Sequence, residues 1–176
     1  SVTLGDQLID QGTDRGNAAA AGNEQGEGYG YSLDATPLYP ACYDGENGEN
    51  MVIGVAATDT LDQKASFSSY GFKCVDISAP GVSIFSTAVY APDKKINNEP
   101  LNKYFDGYWS GTSMAAPLVS GALALIQKAN PLLSHQEVID VLINSTDNIN
   151  RLNPSYLGQL GSGRLNGEKA VMAARV

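Results

Sequence analysis

Gly111-Thr112-Ser113-Met114-Ala115-Ala116-Pro117 stands directly before Leu118 to Ala129, the longest apolar helix candidate in the chain. Gly111 permits a tight approach before the serine, and the alanines after it leave room for another chain to lie close. Pro117 is tolerated in a helix's first turn, where its missing N–H costs nothing. The expected geometry is a strand or loop, then Ser113, then a helix. At such a helix start the free N–H groups and the positive end of the dipole favour an oxyanion over the serine. A Gly-Thr-Ser taken alone is equally a turn with an N-cap. The rest of the chain has to decide between them.

At 176 residues, 43% of them hydrophobic and 17% charged, the chain is long enough for one domain with its own core. Its formal charge of −8, from 11 basic and 19 acidic residues, comes without any Lys/Arg cluster. That argues against nucleic acid or an anionic membrane surface as partner. No apolar run reaches the roughly 18 to 20 residues of a membrane span, and no basic-then-apolar leader opens the chain. A soluble, already processed segment is expected. The 19 glycines follow no collagen-like period, and short apolar runs alternate with helical ones, which predicts α/β architecture with a largely parallel sheet.

Leu4 to Thr13 is a short helix candidate. The alanines of Ala18 to Ala21 end at Gly22-Asn23, Glu24 to Asp34 is a surface loop, and Thr36 to Ala41 continues in extended form. Asp44 to Asn50 is rich in oxygen ligands but lacks the residue order of an EF-hand, so it is a solvated turn. Met51 to Ala57 is continuously apolar, as a strand buried on both faces must be. Thr58 to Lys64 is a polar turn, Val75 to Ala79 a second strand, and Ser83 to Val89 alternates as a half-buried strand does. Tyr90 to Tyr108 is a surface insertion. Leu118 to Ala129 is apolar nearly all round, marking a central buried helix, and Asn130-Pro131 stops it. Ser134-His-Gln-Glu137 is a capping box opening an amphipathic helix through Val138, Ile139, Val141, Leu142 and Ile143. Gly167 to Ala174 is the last helix.

Asn23 is the second residue with chemistry to offer, because a side-chain amide can donate to the oxygen of a tetrahedral intermediate. Gly-Asn alone is a turn signal. Taken together and in this order, however, Ala19 to Asn23, Ala65 to Gly71, Ser78-Ala79-Pro80-Gly81-Val82, Gly111 to Pro117 and Gly161 to Asn166 closely resemble the subtilisin-like serine proteases, or subtilases. The resemblance implies a three-layer fold with a mostly parallel sheet, and a secreted endopeptidase acting on peptides or proteins. It implies Ser113 as nucleophile, the Asn23 amide and Ser113 N–H as oxyanion donors, and Thr112 as support for the turn. Ala20, Ala21 and Gly22 would form one wall of the specificity pocket. Leu38, before Tyr39-Pro40-Ala41, would lie near its base and shorten it, favouring small or medium apolar side chains. No cofactor is required. A weak cation site at Ala41, Tyr43 and Asp76, with calcium as a structural ion, is the one metal it suggests. Family topology also places Cys42 beside Cys74, which implies a disulfide, although two cysteines fit a pair of half-buried thiols as well.

Nucleophilic serine chemistry needs a base within hydrogen-bond reach and a carboxylate to orient it. The chain has one histidine. His135 falls second in the capping box, downstream of Ser113, and reads as a surface helix residue. Subtilases run in the order Asp, His, Ser, and the resemblance covers only the C-terminal half of their catalytic domain, so residues 1–176 form a partial peptidase domain. The missing N-terminal half is then an expected partner. The alternative is a truncated relative that kept the scaffold and lost the chemistry, acting as a binding fragment. An esterase-like elbow is excluded, because Gly111-Thr-Ser113-Met-Ala115 lacks its second glycine.

Overall fold

The computed structural model describes residues 17–23, 28–43, 50–96 and 99–175. The expected helix over Leu4 to Thr13 lies outside these residues, as do residues 44–49 of the acidic turn and 24–27 of the preceding loop. Three parallel strands form the central sheet in the order β1 (Asn17–Ala20), β2 (Val52–Thr58) and β3 (Ile77–Pro80). All seven residues of β2 are buried, which is what its unbroken apolar run demands. Its side chains alternate. Ile53, Val55 and Ala57 face a helical layer, whereas Ala56 faces a second cluster with Ala21, Leu33, Val75 and Leu160. The alanine run itself makes β1, with the small side chains letting the helix that follows Gly111 approach the sheet.

Helix α1 spans Thr112–Ala129 and packs on all three strands, with α2 (His135–Asn144) and α3 (Gly167–Ala174) beside it. It starts six residues earlier than its apolar run suggested, so Pro117 lies in the second turn rather than the first. The helix is also not buried all round: Ala115, Val119, Ala122 and Ile126 face the sheet, but Leu118 and Leu125 are 41% and 57% exposed. Ser134 and Glu137 do form the capping box of α2.

Other expectations change on folding. Thr36 to Ala41 does not stay extended but turns at Tyr39 to Cys42, with a cis Tyr39-Pro40 bond. Ser83 to Val89 is not half buried: β4 (Ile84–Thr87) is almost wholly exposed and pairs antiparallel with β7 (Phe105–Trp109). Between them the insertion forms a hairpin, β5 (Ala91–Ile96) and β6 (Glu99–Leu101). A two-stranded ribbon has no second layer to bury its alternating face against, so periodicity alone overstates its burial.

Cys42 and Cys74 are joined by a disulfide, with Cα atoms 4.6 Å apart and a sequence separation of 32. Closing a loop of that length is worth about 3 to 4 kcal/mol in the chain-entropy account. The double variant Cys42→Ser/Cys74→Ser should therefore lose about that much stability by urea denaturation; an unchanged midpoint would show that the bridge contributes nothing.

A charged lock closes the C-terminal side. Arg164 pairs with Asp62 and Asp147, both at 2.8 Å, and Asp147 also takes Lys169 and Asn166. The hydrogen bond from Lys169, then that from Asn166, and the charges of Lys169 and Arg164 hold the Asp147 carboxyl below its ordinary value. A carboxyl whose folded value lies below its unfolded one contributes stability above the unfolded value and loses it as pH falls through the folded one. Melting temperatures measured from neutrality down to about pH 3 should fall less steeply for Asp147→Asn than for the parent chain. Parallel curves would exclude the lock as a source of acid sensitivity.

Candidate active site

The three parallel strands end on one edge, and the sequence-predicted residues gather there. Beyond β1 come Ala21, fully buried, then Gly22 at φ 98°, a value that favours glycine, then the exposed Asn23. Gly81, just past β3, has no room for a side chain: a Cβ there would lie 2.6 Å from Ala57 Cβ and 2.8 Å from the Gly111 carbonyl. That close approach seats the nucleophile turn on the sheet. Gly111 N–H donates to the Gly81 carbonyl at 2.8 Å.

Thr112 is fully buried and carries the connection between Asn23 and Ser113. Its N–H and its Oγ1–H both donate to Asn23 Oδ1, at 2.9 and 3.0 Å, and its Oγ1 accepts from Gly22 N–H at 3.2 Å. Two donors on one amide atom require that atom to be the oxygen. The Nδ2 donor must then face the other way. A Cβ on Gly111 would lie 3.4 Å from Asn23 Nδ2 and 3.7 Å from Ser113 N, so both donors border one point. Met114 N–H is satisfied by Gly111 O, whereas among the described residues Ser113 N–H has no partner. Both N–H groups thus border Gly111 at a helix N-terminus where Ser113 is exposed.

Among the described residues no base stands beside Ser113. His135 begins α2, beyond the far end of α1, and the helix between them is about 25 Å long. It is half exposed on the surface.

Two of the residues expected at the specificity pocket, Gly22 and Leu38, meet. A Cβ on Gly22 would come within 2.5 Å of Leu38 Cδ2, 3.7 Å of Ser69 Oγ and 3.8 Å of the Tyr31 hydroxyl. Leu38 is pinned from both sides: its N–H donates to Cys42 Sγ at 3.3 Å and its carbonyl accepts from Cys42 N–H at 3.0 Å. Ser69 and Tyr31 were not singled out from the sequence. Ser69 meets Gly22 across 47 positions, its N–H donating to the Gly22 carbonyl, and no local pattern marks such a contact. Lys64 braces the same segment. Its ammonium donates to the carbonyls of Ala65, Ser66 and Ser68, and burial pulls it down to about 8.

Asp76 faces inward, its carboxylate accepting from Asn50 Nδ2 and Gly54 N–H at 2.6 and 2.7 Å.

The sequence matches the profile of the Subtilase family over residues 6–164. The chain belongs to the subtilases. It is 37% identical over 156 residues to a subtilisin of Bacillus pumilus, covering 87% of this chain and 45% of that protein. It is also 37% identical over 123 residues to an extracellular protease of Xanthomonas campestris, covering 70% of this chain and 20% of the relative. Among solved structures, a protease from Pseudoalteromonas arctica superposes with a TM-score of 0.69 at 26% identity, covering 99% of this chain and 48% of that one. This subtilase chain thus spans half the length, or less, of the relatives it matches. Its three-stranded sheet and helical layer are part of a subtilase domain.

Proposed function

We propose that this chain supplies the nucleophile and the oxyanion donors of a secreted subtilisin-type serine endopeptidase, whose base and orienting carboxylate come from polypeptide outside residues 1–176. The observation that supports this most is the double hydrogen bond from Thr112 to Asn23 Oδ1, which holds the amide oxygen on Thr112 and leaves Nδ2 as the donor facing away from it. Ser113 Oγ would attack the peptide carbonyl carbon as its proton passes to the supplied base. The carbonyl oxygen then takes up charge between Asn23 Nδ2 and Ser113 N–H. The C–N bond breaks, the amine leaves with the proton from the base, and water later releases the acyl group from Ser113. No step calls for a metal.

Leu38 against Gly22 would limit the depth for the side chain next to the scissile bond, so peptides with small or medium apolar side chains there are the preferred substrates. Secretion is supported by the relative named as an extracellular protease and by the Cys42–Cys74 bridge, a bond that persists in oxidising compartments. The exposed Leu118 and Leu125 on α1, with the edge of β1 that is unpaired among the described residues, would offer a surface for the complementary half. No helix among the described residues is long and apolar enough to cross a membrane.

A second reading, an inactive scaffold, draws on the same separation of His135 from Ser113. An active-site fluorophosphonate separates the two. Ser113 should stay unlabelled in the chain alone and be labelled stoichiometrically once a subtilase N-terminal segment carrying Asp and His is added. No labelling by a complex that does form would favour the scaffold.

A further inference from the structure

A second cleft opens on the same edge of the sheet, at the carboxyl ends of β2 and β3. It holds about 500 Å³ and is lined by Asp59, Asp62, Pro80, Val82, Ile84 and Arg164, among others. The carboxyl edge of a parallel sheet is where α/β folds take their ligands. We infer that this cleft binds the lysine or arginine side chain of a polypeptide, at a subsite apart from the pocket beside Gly22.

The cleft's charge and its walls select that chemistry. Asp59 spends Oδ1 on the N–H groups of Leu61 and Gln63, at 2.8 and 2.9 Å, while among the described residues Oδ2 has no partner. Arg164 does not neutralise it, because its guanidinium is divided between Asp62 and Asp147. A carboxylate oxygen is thus left beside an aliphatic wall of Pro80, Val82 and Ile84. Only a side chain with a long apolar stem and a cationic end satisfies both at once.

The cleft is also within reach of a chain bound at Ser113. Gly81, between Pro80 and Val82, donates to the Thr58 carbonyl and accepts from Gly111 N–H. Ser83 N–H donates to Ser110 Oγ at 3.0 Å. From Ser110 to Ser113 is three residues, at most roughly 10 Å of backbone. A substrate extended along this edge would set a basic residue in the cleft a few positions from its scissile bond. That placement rests on the peptidase reading, whereas the binding itself does not.

The test uses the isotopically labelled full chain titrated with Nα-acetyl-lysine N-methylamide, followed by NMR. Saturable shifts are expected at the amides of residues 59–62 and 82–84. The norleucine counterpart, which keeps the stem and lacks the charge, should bind about two- to fivefold more weakly, in keeping with a partly exposed ion pair. Asp59→Asn retains an oxygen acceptor for Leu61 and Gln63, so the turn persists, and it should erase the preference for lysine. Equal binding of both ligands, shifts elsewhere only, or an undiminished lysine preference in Asp59→Asn would each overturn the inference. Lysine binding in a chain that never acylates, even with its complement, would leave the cleft standing and remove the peptidase reading.

Discussion

Joined to a polypeptide that carries the aspartate and histidine of the subtilase triad, the chain should hydrolyse a chromogenic peptide, and Ser113→Ala should then cut kcat about a millionfold. That size is the known loss for subtilisin's own serine, and it applies because the triad members act as a unit. Without the complement the parent chain should already sit near that floor. Ser113 is exposed, but an alcohol with no base near it keeps its proton at neutral pH. The same experiment with His135→Ala should leave the rate of the joined enzyme unchanged, since the length of α1 separates that ring from Ser113. Turnover by the chain alone, lost in both Ser113→Ala and His135→Ala, would mean that His135 reaches the serine and that the site is complete in this chain.

The second large effect concerns the oxyanion donors. Asn23→Ala in the joined enzyme should lower kcat about 10²- to 10³-fold, a range again known from subtilisin itself, and leave KM nearly unchanged. The contact to Nδ2 strengthens only as charge builds on the carbonyl oxygen, so its loss is felt in the transition state. Thr112→Val gives the finer readout. It keeps the backbone N–H on Asn23 Oδ1 but removes the hydroxyl donor, so the amide loses one of its two restraints. About a tenfold fall in kcat is expected, equivalent to about 1.4 kcal/mol, the scale of one neutral hydrogen bond. A rise in KM with kcat intact would instead assign Asn23 and Thr112 to ground-state binding.

The local geometry around the candidate site was legible in the sequence because its parts are short and locally encoded. Gly111 to Pro117 carries its own turn and helix start, Gly22-Asn23 its own left-handed turn, Met51 to Ala57 its own burial, and Ser134 to Glu137 its own cap. Each depends on the spacing of a few neighbouring residues, and each appears in the structure within a few positions of where the pattern put it. Other features were decided only by tertiary contacts. The apolar circumference of α1 could not reveal which stripe meets the sheet; packing on β1, β2 and β3 buries Ala115, Val119 and Ile126 and leaves Leu118 and Leu125 in solvent. The alternation of Ser83 to Val89 records a strand's pleat but not whether a second layer covers it. The orientation of the Asn23 amide depends on Thr112, 89 residues away, and the depth of the pocket depends on Leu38 meeting Gly22. Chain-local preferences fix backbone geometry over a turn or two, whereas the direction a side chain's donors face is set by whatever the fold carries up against it.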